Sequence, residues 1–170
     1  MKAVIVYQSL WGNTAAVARA IAEGIGPGTP VLTTIDAAGA VMENLDLLVV
    51  GAPLIAFSIP SDKMLESIRA NPGKAAAPPD LSHISMQSWL KSLPQGHGRV
   101  AAYETRIWWS PGSAAKKILR ELEHLGYRRL AEAQRFIVKS KTGPLREGEI
   151  ERARLWGGEL AQAITIPAKS

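Results

Sequence analysis

Short apolar runs alternate with longer segments of helical periodicity along the 170 residues of this chain. Apolar stretches bounded by turn residues predict strands. The run at 46–51 is apolar at nearly every position, which is typical of a central strand covered on both faces. The predicted strands lie at 2–7, 30–35, 46–51, 99–104 and 134–139.

Apolar residues between these runs recur at helical spacing. Val17, Ile21 and Ile25 follow each other at four-residue steps before the Gly26-Pro27-Gly28 stop. A second helix is predicted after the fourth strand, at 115–125. A third is predicted to begin near Glu147, Glu149 and Glu151, because acidic residues stabilise the first turn of a helix. Residues 82–93 predict one amphipathic helix within an extended connection, 71–98, that we assign to a single domain spanning 1–170.

The alternation of strands and helices predicts an α/β fold with a parallel sheet. Five strands fit a doubly wound sheet of order 2-1-3-4-5 with helices on both faces. In that order ligands bind beyond the carboxyl ends of strands one and three, where the connections leave in opposite directions. The loops at 9–14, 52–60 and 104–112 are therefore expected to converge on one crevice.

The turn after the first strand has the composition of an anion site. A helix N-terminus presents free N–H groups and a positive dipole end, and small side chains allow close approach to the backbone. The same pattern also fits an ordinary helix cap, but the convergence of three loops favours a phosphate. With no Lys or Arg in the turn, hydroxyls and dipoles would hold the anion. The turn consists of Ser9, Leu10, Trp11, Gly12, Asn13 and Thr14.

These residues also carry a resemblance to a known family. The pattern Tyr7-x-Ser9-x-x-Gly12-Asn13-Thr14 resembles the N-terminal signature of the flavodoxin family, whose corresponding loop binds the phosphate of FMN. Residues 45–53 are similar to that family's third strand and first flavin loop, and 100–106 to its fourth strand and second flavin loop. Residues 143–149 with Trp156-Gly157 resemble single-domain flavodoxin-like proteins. The resemblance covers nearly the whole chain and implies an FMN cofactor.

The two later loops would then contact the flavin. Leu54 and Ile55 could line one face of the ring, whereas Phe57 fits either ring contact or core packing. Of the adjacent Trp108 and Trp109 we expect only one to touch the ring, because neighbours on an extended chain point in opposite directions. Thr105 and Arg106 could bond the pyrimidine edge or the ribityl chain, unless Arg106 pairs with a surface carboxylate. The predicted contacts of these loops are Pro53, Leu54, Ile55, Phe57, Glu104, Thr105, Arg106, Trp108, Trp109 and Gly112.

The absence of certain residues and motifs excludes several other classes of protein with this type of fold. The chain has no cysteine, which removes thiolate metal sites and cysteine nucleophiles. It has neither a G-x-G-x-x-G nor a Walker motif, no G-x-S-x-G elbow, and Gly51-Ala52 where a receiver domain needs an aspartate. Its histidines, His83, His97 and His124, lack metal-ligand spacing, so we expect no metal.

Charged residues are unevenly distributed along the chain. Residues 1–98 hold six Lys/Arg and seven Asp/Glu, whereas 99–170 hold fourteen and eight, so the formal net charge of +5 comes from the C-terminal part. We interpret this as a solvated basic surface rather than a nucleic-acid site, because no aromatic platform or nucleic-acid motif accompanies it. Electron-transfer flavodoxins are usually acidic, so a basic surface predicts an acidic or anionic partner.

The sequence predicts an FMN-binding redox protein, either an electron carrier or a small oxidoreductase acting with a partner protein or a small-molecule acceptor. The loop 53–58 lacks the glycine that readily reaches positive φ, which favours two-electron behaviour. An NAD(P)H- or quinone-type flavin reductase is one alternative, and an interaction module that has lost FMN is another. With no run long enough to span a membrane and no leader pattern at the start, we expect a cytoplasmic protein.

Overall fold

The computed structural model describes residues 1–40, 42–73 and 77–167. Strands and helices alternate over most of this part of the chain. The strands are β1 (Ala3–Tyr7), β2 (Val31–Thr33), β3 (Leu47–Pro53), β4 (Arg99–Arg106), β5 (Arg128–Arg129) and β6 (Gln134–Ile137). The helices are α1 (Asn13–Ile25), α2 (Thr34–Ala38), α3 (Asp62–Ala70), α4 (Met86–Ser92), α5 (Ala114–His124) and α6 (Glu149–Thr165).

The sheet has the predicted order, β2-β1-β3-β4-β5, and its pairs are parallel. β1 lies between β2 and β3, with Ile5 opposite Val31 on one side and Val49 on the other. The chain therefore reverses its direction of winding between β1 and β3. This reversal opens a crevice at the carboxyl ends of these strands, as the sequence predicts.

The fifth position of the sheet departs from the prediction of one strand at 134–139. Two short strands occupy it, since β5 pairs with the start of β4 and β6 pairs with its end, from Tyr103 to Arg106. Between them the chain leaves the ladder, and Glu132 lies beside Arg129, with 3.6 Å between their charged atoms. Such an interruption shortens an exposed sheet edge, which limits pairing with other chains.

Helices cover both faces of the sheet. Leu47 and Val49 of β3 pack in the core formed with α1 and α6, whereas Leu48 and Val50 pack in the core formed with α4 and α5. This explains why the third strand is apolar throughout. α1 and α6 approach closely through small residues, because a Cβ on Gly157 would lie 2.2 Å from the carbonyl oxygen of Ile21.

Three predicted element boundaries are wrong. The second strand stops at Thr33, whose hydroxyl accepts the Asp36 N–H at 3.2 Å and starts α2 where the prediction extends the strand. The helix predicted at 82–93 covers only Met86–Ser92, because Ser85 caps its start by accepting the Ser88 N–H. α6 begins at Glu149, so Glu147 precedes it.

None of the described helices is both long and apolar enough to cross a membrane. Likewise, no group of His, Asp and Glu among the described residues has the geometry of a metal site.

Candidate functional site

A cavity of about 320 Å³ lies at the carboxyl ends of β1, β3 and β4. Its size falls within the range of small-molecule sites. Apolar side chains, hydroxyls and two cations line it. The lining residues are Ser9, Leu10, Trp11, Asn13, Thr14, Pro53, Leu54, Ile55, Ala56, Thr105, Arg106, Ile107, Ser110, Val138 and Lys141.

The N-terminus of α1 is open toward this crevice. Gly12 precedes the helix in the left-handed conformation (φ 88°), and no side chain caps the first turn. The Gly12 N–H donates to Ser9 Oγ at 3.1 Å, and within the described residues the N–H groups of Asn13 and Thr14 find no acceptor. The first turn contains no acidic residue. An external anion would therefore satisfy donors that the chain itself leaves unpaired.

Two buried hydroxyls connect the first loop to β4. Thr14 Oγ1 and Thr105 Oγ1 lie 2.8 Å apart, and the Tyr103 hydroxyl donates to the Thr14 carbonyl at 2.9 Å. Both threonines also line the crevice. Because one hydrogen bond uses only one of the two O–H groups, the other remains able to donate to a ligand.

The loop 53–58 forms a tight hairpin over residues 55–58. Ile55 and Ser58 exchange both backbone hydrogen bonds, at 3.1 and 2.9 Å. The two central residues are left-handed, Ala56 at φ 47° and Phe57 at φ 66°, as in a type I′ turn. The loop therefore reaches positive φ without glycine, so the absence of glycine does not by itself exclude this conformation here.

Phe57 is not packed in the core. It lies at the tip of this hairpin, 58% exposed, and its ring is not part of the crevice lining, whereas Leu54 and Ile55 are. The core-packing interpretation of Phe57 is thus wrong, and ring contact would require the side chain to turn toward a ligand.

Glu104 and Arg106 hold the loop that follows β4. The buried Glu104 carboxylate accepts the Ser113 hydroxyl at 2.6 Å and the Ala114 N–H at 3.1 Å, which fixes the start of α5. Arg106 donates to the Gly112 carbonyl at 2.7 Å and lies 3.7 Å from Glu104. Arg106 is only 4% exposed, so it does not pair with a surface carboxylate, and it lines the crevice as well as bracing the loop.

Trp108 and Trp109 lie at the tip of a turn closed by the Ser110 N–H donating to the Ile107 carbonyl at 3.2 Å. Their side chains are 64% and 65% exposed and stand outside the lining of the crevice. The residues of this loop that reach the crevice are Ile107 and Ser110.

The structure thus gathers most of the predicted site and adds to it. Ten predicted residues line the crevice, and six lie beside it or brace its loops: Gly12, Phe57, Glu104, Trp108, Trp109 and Gly112. The sequence analysis missed Ala56, Ile107, Ser110, Val138 and Lys141. Val138 and Lys141 follow β6. The sequence offers one indication of their place, which is that the strand in the fifth position of the sheet also ends at the edge where the crevice lies.

No family model and no curated protein matches the chain. Solved structures do match. A flavodoxin from the domain Archaea has a TM-score of 0.64 at 20% identity, over 98% of this chain and 100% of that chain. Flavodoxin 1 from Bacillus cereus has a TM-score of 0.67 at 18% identity, over 95% and 98%.

A third solved structure also matches the chain. The flavodoxin, WrbA-like protein from Agrobacterium tumefaciens has a TM-score of 0.54 at 19% identity, over 95% of this chain and 96% of that chain. All three matches cover nearly the full length of both chains. The flavodoxin fold implied by the sequence resemblance is therefore confirmed.

Proposed function

We propose that the chain is an FMN-dependent redox protein that binds the cofactor in the crevice at the carboxyl ends of β1, β3 and β4. The observation that carries the proposal is the open N-terminus of α1. Its unpaired N–H groups, together with the hydroxyls of Ser9 and Thr14, face a largely apolar crevice of suitable size. A phosphate at one end and an apolar ring at the other is the ligand that this lining fits.

The crevice residues divide into two groups by chemistry. Ser9, Asn13, Thr14 and the backbone at 11–12 would hold the phosphate. Apolar side chains would contact the ring, and FMN, when bound, supplies the electron-transfer chemistry. The residues proposed for the ring end are Pro53, Leu54, Ile55, Ile107 and one of Trp108 and Trp109.

Polar groups at the ring end would orient the flavin. The free O–H of the Thr14–Thr105 pair is positioned to donate to a ribityl or ring acceptor. The Arg106 guanidinium, fixed by Gly112 and Glu104, keeps a positive charge at the crevice wall. A fixed cation there stabilises negative charge that develops on a ligand, and it needs no rearrangement to do so.

A partner of acidic or anionic character fits the surface around this site. Among the described residues after 98, exposed Lys and Arg outnumber exposed Glu, and this part of the chain contributes the second flavin loop and α5. Long-range attraction of this kind raises encounter rates and is screened by salt. The partner is either a redox protein or a small-molecule electron acceptor.

Flavin binding by the purified protein tests the proposal. The protein is stripped of ligand and titrated with FMN, FAD and riboflavin, while flavin absorbance and fluorescence are followed. We expect one FMN per chain with a Kd at or below the micromolar range, and weaker binding of the other two flavins. Mass spectrometry of the ligand extracted from the native protein should return FMN.

Two outcomes would contradict the proposal. Preferential binding of FAD would show that the phosphate site does not limit the ligand to a mononucleotide. No binding of any flavin would leave the interaction-module alternative. If FMN binds, reductive titration separates a one-electron carrier from a two-electron reductase of the NAD(P)H or quinone type.

A further inference from the structure

The segment after β6 folds back on itself beside the N-terminus of α1. Val138 and Leu145 form an antiparallel bridge, and the Lys139 N–H donates to the Pro144 carbonyl at 2.8 Å. The Gly143 N–H closes the tip by donating to the Ser140 carbonyl at 2.9 Å. Residues 138–145 are therefore a hairpin with its tip at 140–143, named the β6–α6 hairpin below.

This hairpin is fixed to the turn proposed to hold the phosphate. Asn13 Nδ2 donates to the Thr142 carbonyl at 3.1 Å. A Cβ on Gly143 would lie 2.7 Å from both terminal atoms of the Asn13 side chain, so the backbone at the tip rests directly on it. This contact fixes the tip of the hairpin against α1, and it thereby determines where the neighbouring residue Lys141 lies relative to α1.

Lys141 reaches the crevice from this tip. It lines the same cavity as Ser9, Asn13 and Thr14. Arg106 is the second cation of the lining, and the lining contains no carboxylate. Glu104 already pairs with Arg106, whereas no salt bridge within the described residues involves Lys141. Lys141 is thus the uncompensated charge of the crevice, as far as the described chain extends.

We propose that the Lys141 ammonium group binds the phosphate of the flavin, so that a formal charge from the β6–α6 hairpin completes a site otherwise built of dipoles and hydroxyls. The inference rests on the proposed function and deepens it. The phosphate carries between one and two negative charges at neutral pH, and an ammonium group beside it adds a charge-assisted contact. Lys141 then makes the site select phosphorylated flavin over riboflavin.

The chain offers a matched control for this test. Lys139 lies in the same hairpin, two residues away and also exposed, but it does not line the crevice. Lys141→Gln and Lys139→Gln therefore remove the same charge from the same segment, and only the first removes it from the crevice. Lys141→Arg keeps the charge and serves as the conservative variant.

Dissociation constants for FMN and riboflavin are measured on the full-length apo-proteins at low and high salt. We expect Lys141→Gln to weaken FMN about 5- to 20-fold and riboflavin less than 2-fold, because the exposure of Lys141 reduces a charged hydrogen bond to the low end of its usual range. The salt dependence of FMN binding should fall as well, since a screened charge pair is gone. Lys139→Gln should change both affinities less than 2-fold, and Lys141→Arg should restore most of the loss.

Equal weakening of both flavins by Lys141→Gln would overturn the proposal, because it would assign Lys141 a role in supporting the hairpin. An unchanged FMN affinity would overturn it too and identify a solvated surface lysine. If the wild-type protein binds no flavin, inorganic phosphate becomes the probe. A phosphate-dependent rise in Tm that Lys141→Gln abolishes and Lys139→Gln keeps would support the anion site, and the absence of such a rise in the wild type would refute it.

Discussion

Helices α1 and α6 begin in the same way. Each follows a left-handed glycine, Gly12 at φ 88° and Gly148 at φ 86°, and neither start has a side-chain cap. In contrast, α2, α3, α4 and α5 are each capped by a serine or threonine hydroxyl. α1 and α6 therefore both leave the N–H groups of the first turn to be satisfied by something other than the usual cap.

They differ in the charge that the chain places beside those groups. α6 supplies its own anions, Glu149 and Glu151, and the Glu149 carboxylate accepts the Ile137 N–H at 2.6 Å and pairs with Arg152 at 2.8 Å. α1 has no acid in its first turn and faces the crevice instead. The α6 start thus carries negative charge from its own first turn, and Glu149 anchors β6 there, whereas the first turn of α1 carries no acid. On the proposed function, these first-turn residues, rather than the shared backbone, decide which start can accept an anionic ligand.

Giving α1 the acid that α6 has should make the two helix starts alike. Asn13→Asp places a carboxylate at the same helical position as Glu149, beside the proposed phosphate. We expect FMN affinity to fall about tenfold or more, since repulsion of like charges at this distance is worth at least the 1.4 kcal/mol of a tenfold change. Titration of the apo-protein with FMN measures it.

Asn13→Ala is the control, because it also removes the donor to the Thr142 carbonyl but adds no charge. It should weaken FMN less than Asn13→Asp does. If the two variants weakened FMN alike, the loss would come from the broken bond to the β6–α6 hairpin rather than from charge at the helix start.

Removing the acid from α6 should affect folding and leave the ligand alone. Burial by itself raises the pKa of Glu149, but hydrogen bonds from Arg152 and the Ile137 N–H, with the Arg152 and Arg146 charges, hold that pKa below its ordinary value. Glu149→Gln should lower the free energy of unfolding by about 1–3 kcal/mol at neutral pH, the cost of losing charge-assisted hydrogen bonds. FMN affinity should not change.

The contribution of Glu149 to the free energy of unfolding should depend on pH in a defined direction. A lowered carboxyl pKa stabilises the fold above the unfolded-state pKa of about 4.3, and the stabilisation is lost as pH falls through the folded value. Denaturant unfolding at pH 7 and in steps down to pH 3 should therefore show wild type and Glu149→Gln converging in acid. A constant difference across that range would mean that Glu149 acts through packing rather than charge.

The left-handed glycines before α1 and α6 provide a matched pair of substitutions. A Cβ at Gly12 or Gly148 would meet no atom within 4 Å, so only the left-handed backbone opposes a side chain at either position. Gly12→Ala and Gly148→Ala should each cost about 1 kcal/mol of unfolding free energy. Only Gly12→Ala should also weaken FMN, and a matching loss of FMN affinity in Gly148→Ala would undo the distinction between the two helix starts.

Local patterns in the sequence were sufficient for the sheet order and for the position of the turn 9–14 at the crevice. β3 is apolar on both faces because two helical layers cover it, and that composition is visible without a structure. The turn 9–14 lies between a strand and a helix, so its place in the crevice follows from topology alone.

What the sequence missed depends on contacts between distant residues. Lys141 is placed by the bond between Asn13 and Thr142, which are 129 positions apart, and no periodicity encodes that distance. The break between β5 and β6 lies in an edge strand position, where pairing is one-sided and the apolar pattern is weak. Glu104 was correctly placed at the end of β4, but its carboxylate caps α5 instead of lining the crevice, a choice that chain topology does not determine.

The hairpin 55–58 provides the smallest and last test, because there left-handed backbone occurs without glycine. Ala56, at φ 47°, is held by the two backbone bonds between Ile55 and Ser58. Ala56→Gly removes a steric cost of about 1–2 kcal/mol and adds an entropic cost to folding of about 0.5–1 kcal/mol, so the net gain in unfolding free energy should be about 0.5 kcal/mol. Ala163→Gly, in the last turn of α6, is the control and should lower it by up to the roughly 1 kcal/mol of a helix interior. Denaturant unfolding of both variants measures whether each change raises or lowers the free energy of unfolding. If Ala56→Gly lowered it as much as Ala163→Gly does, residue 56 would not be left-handed in solution.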